Sequence, residues 1–307
     1  MKDYIIQVES LSKSFSSHKA LDDCTFSIER GEIFGFLGPS GAGKTTTIKL
    51  LSGQLHKDEG NIMVLNDNPF SHEIKQKIGI MSDTSGLYEK MSVYDNLALF
   101  ADIYGVDHSQ VDRVLKEVDL TEHKAKLVGK LSRGQKQRVV FARTIIHSPE
   151  ILFLDEPTAN LDPATAQEVR DIIKLLNKNG TTVFLTTHYM EEVEEIADRI
   201  IIMDKGKKIA EGTLKELLEK YKDTLIYTLY LDNVSLDIKD SLLKIEGLET
   251  IEIIDNSIKA TVSKNNDTLD KILLFLVQHN YHIRKMETEE GNLEMVFLEL
   301  TGKKLRD

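Results

Sequence analysis

A glycine-rich octapeptide, GPSGAGKT at residues 38–45, fits the pattern G-x-x-x-x-G-K-[ST], which is typical of loops that hold nucleotide phosphates. The short apolar run Ile33–Leu37 precedes it, and a helical pattern follows it. In such a loop, backbone amides and a helix N-terminus surround the phosphate oxygens. The alternative is a glycine turn with an incidental lysine, but a strand before the motif and a helix after it favour a phosphate site.

The chemistry of this loop comes mainly from its last residues. We expect Lys44 to neutralise the β- and γ-phosphates of a bound nucleotide, and Thr45 to bind Mg²⁺ through its hydroxyl. The candidate nucleotide-binding residues of the loop are Gly38, Pro39, Ser40, Gly41, Ala42, Gly43, Lys44, Thr45 and Thr46.

Two adjacent carboxylates, Asp155 and Glu156, follow a second apolar run, Ile151–Leu154. Neighbouring carboxylates at the end of a buried strand are electrostatically costly unless a cation or a proton is near. We expect Asp155 to coordinate Mg²⁺ through water, and Glu156 to be the base that orients and polarises an attacking water. The alternative is a strand end that opens into a solvated loop without a catalytic role.

A histidine, His188, ends a third apolar stretch that contains Val183–Leu185. A single histidine after a strand is more often structural than catalytic. In a parallel sheet, however, the carboxyl ends of the strands lie along one edge, and ligands bind outside that edge. Gly38, Glu156 and His188 all follow predicted strands, so we expect them to converge there. His188 would then bond either the γ-phosphate or the attacking water.

The segment LSRGQKQR, residues 131–138, has the pattern of a helix start. Ser132 and Gln135 have the spacing of a capping box, in which each side chain bonds the other residue's backbone amide. Gly134 lies in the first turn, where glycine costs about 1 kcal/mol relative to alanine. The glycine therefore indicates that another group comes close to the backbone at this helix end.

The elements that would position these residues alternate between apolar runs and helical patterns over residues 1–212, which is typical of an α/β layer fold. Each of the three apolar runs is apolar throughout, as expected for a strand covered on both faces. Asp162 and Pro163 predict the N-cap and first position of a helix that ends before Gly180. Between about Asp83 and Pro149 the pattern is mostly helical, so we predict a helical subdomain inserted into the α/β core.

The pattern changes after Gly212. Two strands, Thr250–Ile254 and Ile258–Val262, flank a hairpin signal. The complete order of predicted elements is β-α-β-β-α-β, so we expect a small α+β domain of the ferredoxin-like type, followed by a last helix.

The composition restricts the classes of function. The 307 residues include 50 acidic and 39 basic ones, a net charge of −11, which disfavours non-specific nucleic-acid binding and a polybasic membrane attachment. The single cysteine, Cys24, excludes an internal disulfide and is expected to be a small buried side chain rather than a reactive thiol.

The N-terminus lacks a signal-peptide pattern, and the longest apolar run, Ile272–Val277, is far shorter than the roughly 20 residues that span a bilayer. We therefore expect a cytoplasmic protein without direct membrane insertion, which would reach a membrane through a partner.

Taken together, these motifs resemble the ATP-binding cassette of ABC transporters. In that family's terms, GPSGAGKT is Walker A, ILFLD followed by Glu156 is Walker B, ANLD is the D-loop, His188 is the switch histidine, and LSRGQ corresponds to the LSGGQ signature. The resemblance covers roughly residues 4–215. It implies a P-loop NTPase fold with an ATPase domain over residues 1–222, a helical subdomain at about residues 84–149, and an accessory domain over residues 223–307.

The resemblance also implies how the helix start at residue 132 is used. Two cassettes of the family pair head to tail, so Ser132, the amide of Gly134 and Gln135 would contact the γ-phosphate of ATP held by the second subunit. Phe15 would stack on the adenine; the alternative is an ordinary core phenylalanine. At two positions the chain departs from the family: Arg133 replaces the first glycine of the signature, and Asp83 stands where the Q-loop glutamine is usual. Asp83 could still face Mg²⁺, but an ionised carboxylate cannot donate a hydrogen bond.

By resemblance, we expect the ATPase subunit of an export-type ABC transporter whose membrane-spanning permease is a separate chain, pairing with a second ATPase subunit as a homodimer or heterodimer. A soluble ABC ATPase that acts on ribosomes or DNA is a first alternative, although the chain lacks the second cassette or long coiled-coil insertion usual there. A regulatory module that binds nucleotide without hydrolysing it is a second, and Glu156 and His188 argue against it.

Overall fold

The computed structural model describes residues 2–16, 18–82, 86–220, 224–235, 238–263, 267–289 and 292–302. The chain divides into two compact units, of which one ends at Leu214 and the other begins at Lys215. The predicted limits, residues 1–222 and 223–307 with a helical subdomain at about 84–149, remain predictions, since residues 221–223 lie outside the described chain.

The N-terminal unit alternates strands and helices. Its strands are β1 (Tyr4–Phe15), β2 (His18–Glu29), β3 (Ile33–Leu37), β4 (Glu59–Val64), β5 (Ile78–Met81), β6 (Ile151–Asp155), β7 (Thr182–Thr187), β8 (Arg199–Asp204) and β9 (Lys207–Gly212). Its helices are α1 (Lys44–Leu51), α2 (His72–Lys77), α3 (Val93–Tyr104), α4 (Ser109–Glu117), α5 (Arg133–Ile145), α6 (Pro163–Lys178) and α7 (Met190–Ile196), and α8 (Leu214–Lys220) follows at the boundary.

Six strands of the described chain form the central sheet in the order β5-β6-β7-β3-β8-β9. The strands from β5 to β8 run parallel, and β9 is antiparallel to β8. Every residue of β3 and β7 is buried, which confirms the prediction of strands covered on both faces. A separate antiparallel sheet, β2-β1-β4, contributes to the same hydrophobic core.

Predicted details of this unit are confirmed. Asp162 caps α6 by accepting a hydrogen bond from the amide of Thr165 at 3.0 Å, with Pro163 at the first helical position. Gly180 adopts a φ of 99° just beyond the C-cap of α6, where a left-handed residue ends a helix. Cys24 is fully buried, and burial raises the pKa of its thiol to about 12, so it is a core side chain and not a nucleophile.

Between β5 and β6 the described chain is mostly helical. It contains α3, α4 and α5, with two short 3₁₀ turns, Thr121–His123 and Val128–Lys130, between α4 and α5. Each of these helices buries apolar side chains on one face, including Leu97 and Ala101 on α3 and Val139 and Ala142 on α5. The buried apolar residues named for this region therefore come from helix faces and not from strands.

The C-terminal unit contains β10 (Thr224–Leu231), α9 (Lys239–Leu242), β11 (Leu248–Ile254), β12 (Ser257–Ser263), α10 (Thr268–Gln278), β13 (Ile283–Glu289) and α11 (Leu293–Thr301). Its four strands pair antiparallel in the order β11-β12-β10-β13, which is the β-α-β-β-α-β arrangement of a ferredoxin-like domain. Ile258, Ala260, Ile272 and Leu276 lie at the centre of its core. Across the described residues, no helix is long and apolar enough to cross a membrane.

Candidate functional site

The glycine-rich loop connects β3 to α1 and holds the buried ammonium group of Lys44. Gly43 precedes α1 with a φ of 99°, and a Cβ there would lie 2.5 Å from the carbonyl oxygen of Ala20, so the position requires glycine. The Nζ of Lys44 donates hydrogen bonds to the carbonyls of Gly38 at 2.8 Å and Pro39 at 3.1 Å. Because Lys44 is only 5% exposed, its ammonium is held inside the loop.

The candidate residues of this loop divide into a buried base and an exposed rim. The base consists of Gly38, Ala42, Gly43 and Lys44. The rim consists of Ser40, Gly41 and Thr45, with Pro39 and Thr46 half-buried. The first amides of a helix have no partner within the helix, so the start of α1 can donate to an anion that approaches from the rim.

Asp155, at the end of β6, is held by two hydroxyl groups. Thr45 Oγ1 donates to Asp155 Oδ2 at 2.7 Å, and Thr186 Oγ1, opposite in the register of β7, donates to Asp155 Oδ1. A hydroxyl and a carboxylate side by side are oxygen ligands of the kind that Mg²⁺ prefers. In the described part of the chain no three His, Cys, Asp or Glu residues form a metal cluster. The third candidate ligand, Asp83, lies outside the described residues.

Glu156 follows Asp155 in a strained backbone conformation, with a φ of 49°. Its amide donates to the carbonyl of Thr186 at 2.9 Å, which holds the residue against β7. Its Oε1 lies 3.3 Å from the Nζ of Lys44, and its Oε2 lies 3.1 Å from Nδ1 of His188. Among the described residues His188 Nδ1 has no hydrogen-bond partner, so this is a close contact and not a hydrogen bond. The Glu156 carboxylate thus lies between a buried ammonium and an imidazole.

The ends of β3, β6 and β7 meet as the parallel arrangement predicts. The amide of Gly38 donates to the carbonyl of Thr187 at 3.3 Å, which joins the glycine-rich loop to the residue before His188. The hydroxyl of Thr187 accepts from the amide of Tyr189 at 2.9 Å and shapes the turn that carries the histidine. The structure therefore brings Gly38, Glu156 and His188 to one edge of the sheet.

The helix start at Ser132 is a complete capping box. Ser132 Oγ accepts from the amide of Gln135 at 3.2 Å, and Gln135 Oε1 accepts from the amide of Ser132 at 3.1 Å. The Nε2 of Gln135 also lies 2.8 Å from Nε2 of His123, which orients the amide group from behind. Ser132 is exposed, so the start of α5 faces outward.

Gly134 has a neighbour that the sequence did not suggest. A Cβ at this position would lie 2.5 Å from Cγ2 of Thr165, in the first turn of α6. The close approach that the glycine indicated is therefore made by a side chain of the same protein. This packing requires glycine independently of any ligand.

Comparisons with known proteins agree with this geometry. Residues 21–159 match a family model described as ABC transporter. The chain is 33% identical to the linearmycin resistance ATP-binding protein LnrL of Bacillus subtilis, over 99% of this chain and 100% of that protein. The chain belongs to the ABC transporter ATP-binding family. It is the ATP-hydrolysing subunit of an ABC transporter.

Further relatives of this ABC ATPase support the same assignment. The bacitracin transport ATP-binding protein BcrA of Bacillus licheniformis is 33% identical over 97% of this chain and 97% of that protein. The structure of cbiO1 from Clostridium perfringens, part of the ABC transporter complex cbiONQ, is 31% identical, with a TM-score of 0.63 over 71% of this chain and 94% of that one. The solved cassette therefore covers less of this chain than the full-length relatives do.

Phe15, expected from the family resemblance to stack on adenine, ends β1 with 48% of its surface exposed. The alternative of an ordinary core phenylalanine is therefore wrong. The Nζ of Lys13 lies 5.6 Å from the centre of the Phe15 ring, within the range of a cation–π contact. An exposed aromatic face with a cation beside it is suited to stacking on a base.

Sequence reasoning missed the residues that attach α5 to the catalytic edge. Gln137 Nε2 donates to the carbonyl of Pro157 at 2.7 Å, directly after Glu156, and Arg138 is paired with Glu168 of α6 at 3.3 Å. The available signal was helical spacing, since residues 137 and 138 lie on the same face as Gly134. The signature helix of this ABC ATPase is thus bonded to the loop after its own Walker B strand.

Proposed function

We propose that this ABC ATPase hydrolyses ATP at the edge formed by β3, β6 and β7, with Glu156 as the base that orients and polarises the attacking water. The observation that carries the proposal is the position of the Glu156 carboxylate, 3.3 Å from the Lys44 ammonium and 3.1 Å from the His188 imidazole. A base held between two such groups lies next to the place where the terminal phosphate would bind. His188 would contact the γ-phosphate or the attacking water.

The binding of ATP follows from the loop. Lys44 would exchange part of its bonding to the loop carbonyls for the β- and γ-phosphate oxygens, because an ammonium bonds an anion more strongly than a neutral carbonyl. The amides at the start of α1 and the residues of the rim would hold the remaining phosphate oxygens. Phe15 would bind the adenine by stacking.

Thr45 and Asp155 are the residues that would hold Mg²⁺, and Asp83 remains a third candidate. The fit rests on the 2.7 Å contact between the Thr45 hydroxyl and the Asp155 carboxylate, a pair of oxygen ligands adjacent to the phosphate loop. Mg²⁺ is commonly held by one or two carboxylates together with substrate phosphates and water. When bound, the ion would neutralise phosphate charge.

The helix start at Ser132 would act on the ATP held by a second subunit. Its capping box uses the Ser132 oxygen as an acceptor, which leaves the hydroxyl proton available for an anion. Ser132, the amide of Gly134 and Gln135 would then close over the γ-phosphate. ATP would favour the closed dimer, and hydrolysis with phosphate release would reopen it, as expected of a ligand that binds one conformation better than the other.

We propose a homodimer that lies at the cytoplasmic face of the cell membrane, attached to a separate permease, and that binds no nucleic acid. The relatives are named for linearmycin resistance and bacitracin transport. Export of an antibiotic-like compound through the permease is therefore the transport activity that we propose. Purification of the chain from membranes, with identification of the bound membrane protein, tests this; recovery with ribosomes or DNA instead would contradict it.

Mixed dimers test the action in trans. A Lys44→Ala subunit lacks a working phosphate loop but keeps its Ser132, and a Ser132→Ala subunit has the opposite defect. Each variant alone should be inactive in an ATPase assay with Mg²⁺, and mixing them should restore about one working site in each mixed dimer. Wild type without hydrolysis would support a regulatory module instead, and mixtures that stay inactive would contradict action in trans.

A further inference from the structure

A buried carboxylate lies close to the catalytic edge, although none of the family's motifs contains it. Glu192, on α7, is 1% exposed. Among the residues that the structure describes, neither of its carboxyl oxygens has a partner at full hydrogen-bond geometry. A buried carboxyl group without such partners is costly, so its position requires an explanation.

The two hydroxyl groups that face Glu192 belong to the two catalytic loops. Thr187 directly precedes His188, and Thr158 is the second residue after Glu156. Both threonines are buried, and both hydroxyl groups act to lower the pKa of Glu192. Thr187 also accepts the amide of Gly38 through its carbonyl. Glu192 therefore lies where the loop that carries the base and the loop that carries the histidine approach each other.

The charged groups around Glu192 do not offset the effect of burial on its pKa. Burial raises the pKa of Glu192 to about 7, against the lowering effect of the Thr187 and Thr158 hydroxyls and of Arg170 on α6, while Glu156 raises it further. Arg170 is already paired with Glu195 at 2.6 Å. The strands that pack against α7, β3 and β7, carry no charged residue. On α7 itself, the remaining acidic residues are Glu191, Glu194 and Glu195.

We propose that Glu192 is a positioning residue for ATP hydrolysis, which sets the distance between Glu156 and His188 by filling the space between Thr158 and Thr187. The inference rests on the proposed roles of Glu156 and His188. A neutral carboxyl group can both donate and accept hydrogen bonds, whereas an ionised one can only accept. The two forms therefore hold the threonines differently, and ionisation also brings a second negative charge towards Glu156.

The test compares Glu192→Gln and Glu192→Ala with the wild type, and uses Glu191→Gln, an exposed neighbour on the same helix, as the matched control. We expect Glu192→Ala to lower kcat about 10-fold to 100-fold, because small displacements of catalytic groups have effects of this size. The KM for ATP should stay nearly unchanged, since the phosphate loop is intact. Glu191→Gln should match the wild type.

The pH profile of kcat separates positioning from a merely structural role. Glu192→Gln imitates the neutral form at every pH, so it should keep most of the wild-type kcat at low pH and lose the component of the wild-type profile with a midpoint of about 7. If Glu192→Gln and the wild type have the same profile, or if Glu192→Ala keeps the wild-type kcat, the proposal is overturned.

Two further measurements keep the outcome clear. If Glu192→Ala fails to fold, the glutamine variant alone decides, because it preserves shape and volume. Glu156→Gln is measured in parallel: normal turnover there would overturn the proposed function itself. Loss of turnover in Glu156→Gln together with unaffected Glu192 variants would overturn only the positioning role.

Discussion

The catalytic edge and the start of α5 are built in opposite ways. At the edge, Glu156 contacts both Lys44, at 3.3 Å, and His188, at 3.1 Å, within a single chain. The start of α5 bonds mainly to itself through its capping box and presents Ser132 outward. The edge therefore has its reacting groups assembled in one chain. The helix start has groups that can receive an anion, and in the dimer that we propose the phosphate would belong to the ATP held by the second subunit.

The two regions are nevertheless joined within the chain by packing and by a hydrogen bond. Gly134 packs on Thr165, and Gln137 bonds the carbonyl of Pro157, next to Glu156. A displacement of α5 would therefore be transmitted to the loop that carries the base. In a dimer, this attachment would make each chain's catalytic edge sensitive to the phosphate that its own α5 contacts.

The largest effect should come from Glu156→Gln, which removes the base and leaves the shape. Turnover should fall by roughly 10²–10⁴ in a steady-state ATPase assay, while ATP-bound dimers accumulate. Glu191→Gln serves as the control for charge. Normal turnover would show that the catalytic edge does not depend on this carboxylate. The edge could then no longer be distinguished from the start of α5 as the region that holds the reacting groups.

Replacing Lys44 with alanine should abolish measurable nucleotide binding. Two bonds from a charged donor are lost, and at about 1.5–3 kcal/mol each their loss lowers affinity at least about 100-fold. Equilibrium dialysis with ATP measures this, with Lys49→Ala on the exposed side of α1 as control. Unchanged affinity would remove the phosphate-loop assignment and leave the edge without a substrate.

Glu192→Gln should change stability in a pH-dependent way. The folded-state pKa of Glu192, about 7, lies above the ordinary value of 4.5. Relative to the variant, the wild type therefore has its highest free energy of unfolding below pH 4.5, and it loses this stability as the pH rises through 7. The difference in free energy of unfolding should grow by about 3 kcal/mol over that window in the variant's favour. A difference that stays constant in urea titrations from acidic to alkaline pH would contradict the raised pKa.

The smallest effect should come from Gly134→Ala, which distinguishes packing from ligand approach. Helix propensity alone predicts stabilisation by about 1 kcal/mol. The Cβ would lie 2.5 Å from Thr165 Cγ2, so we expect a net loss of about 1–3 kcal/mol instead. Thr165→Ser removes that methyl group and should recover much of the loss in the double variant. Stabilisation by Gly134→Ala would mean that contact with Thr165 does not require the glycine.

Much of the site was predictable because its residues follow local patterns. The glycine-rich loop, the carboxylates after Ile151–Leu154 and the histidine after β7 each stand at the end of an apolar run. The capping box at Ser132 and the cap at Asp162 depend on spacings of three residues. Such features are decided by neighbours in the chain, so they can be read without knowing the fold.

The residues that were missed depend on neighbours far away in the chain. Thr186 bonds Asp155 because of the register between β6 and β7, and Gln137 meets Pro157 only after α5 packs on the core. Thr165 explains Gly134, although 31 positions in sequence separate them. Helical spacing places Gln137 on the same face as Gly134, but no local pattern identifies the distant partner in any of these pairs.

The amino-acid pattern was therefore sufficient for the α/β alternation, for the three strands that carry the site and for the chemical groups at their ends, since periodicity and turn residues act over a few positions. It did not predict the antiparallel sheet β2-β1-β4 or the antiparallel strand β9. Packing was needed to bring the Glu156 carboxylate between Lys44 and His188, and to bury Glu192 beside the two loops. The physical reason is that distance and burial are properties of the folded chain. Desolvation and close contact change the protonation and the hydrogen bonding of a carboxyl group. Neither effect can be predicted from the spacing of residues along the sequence.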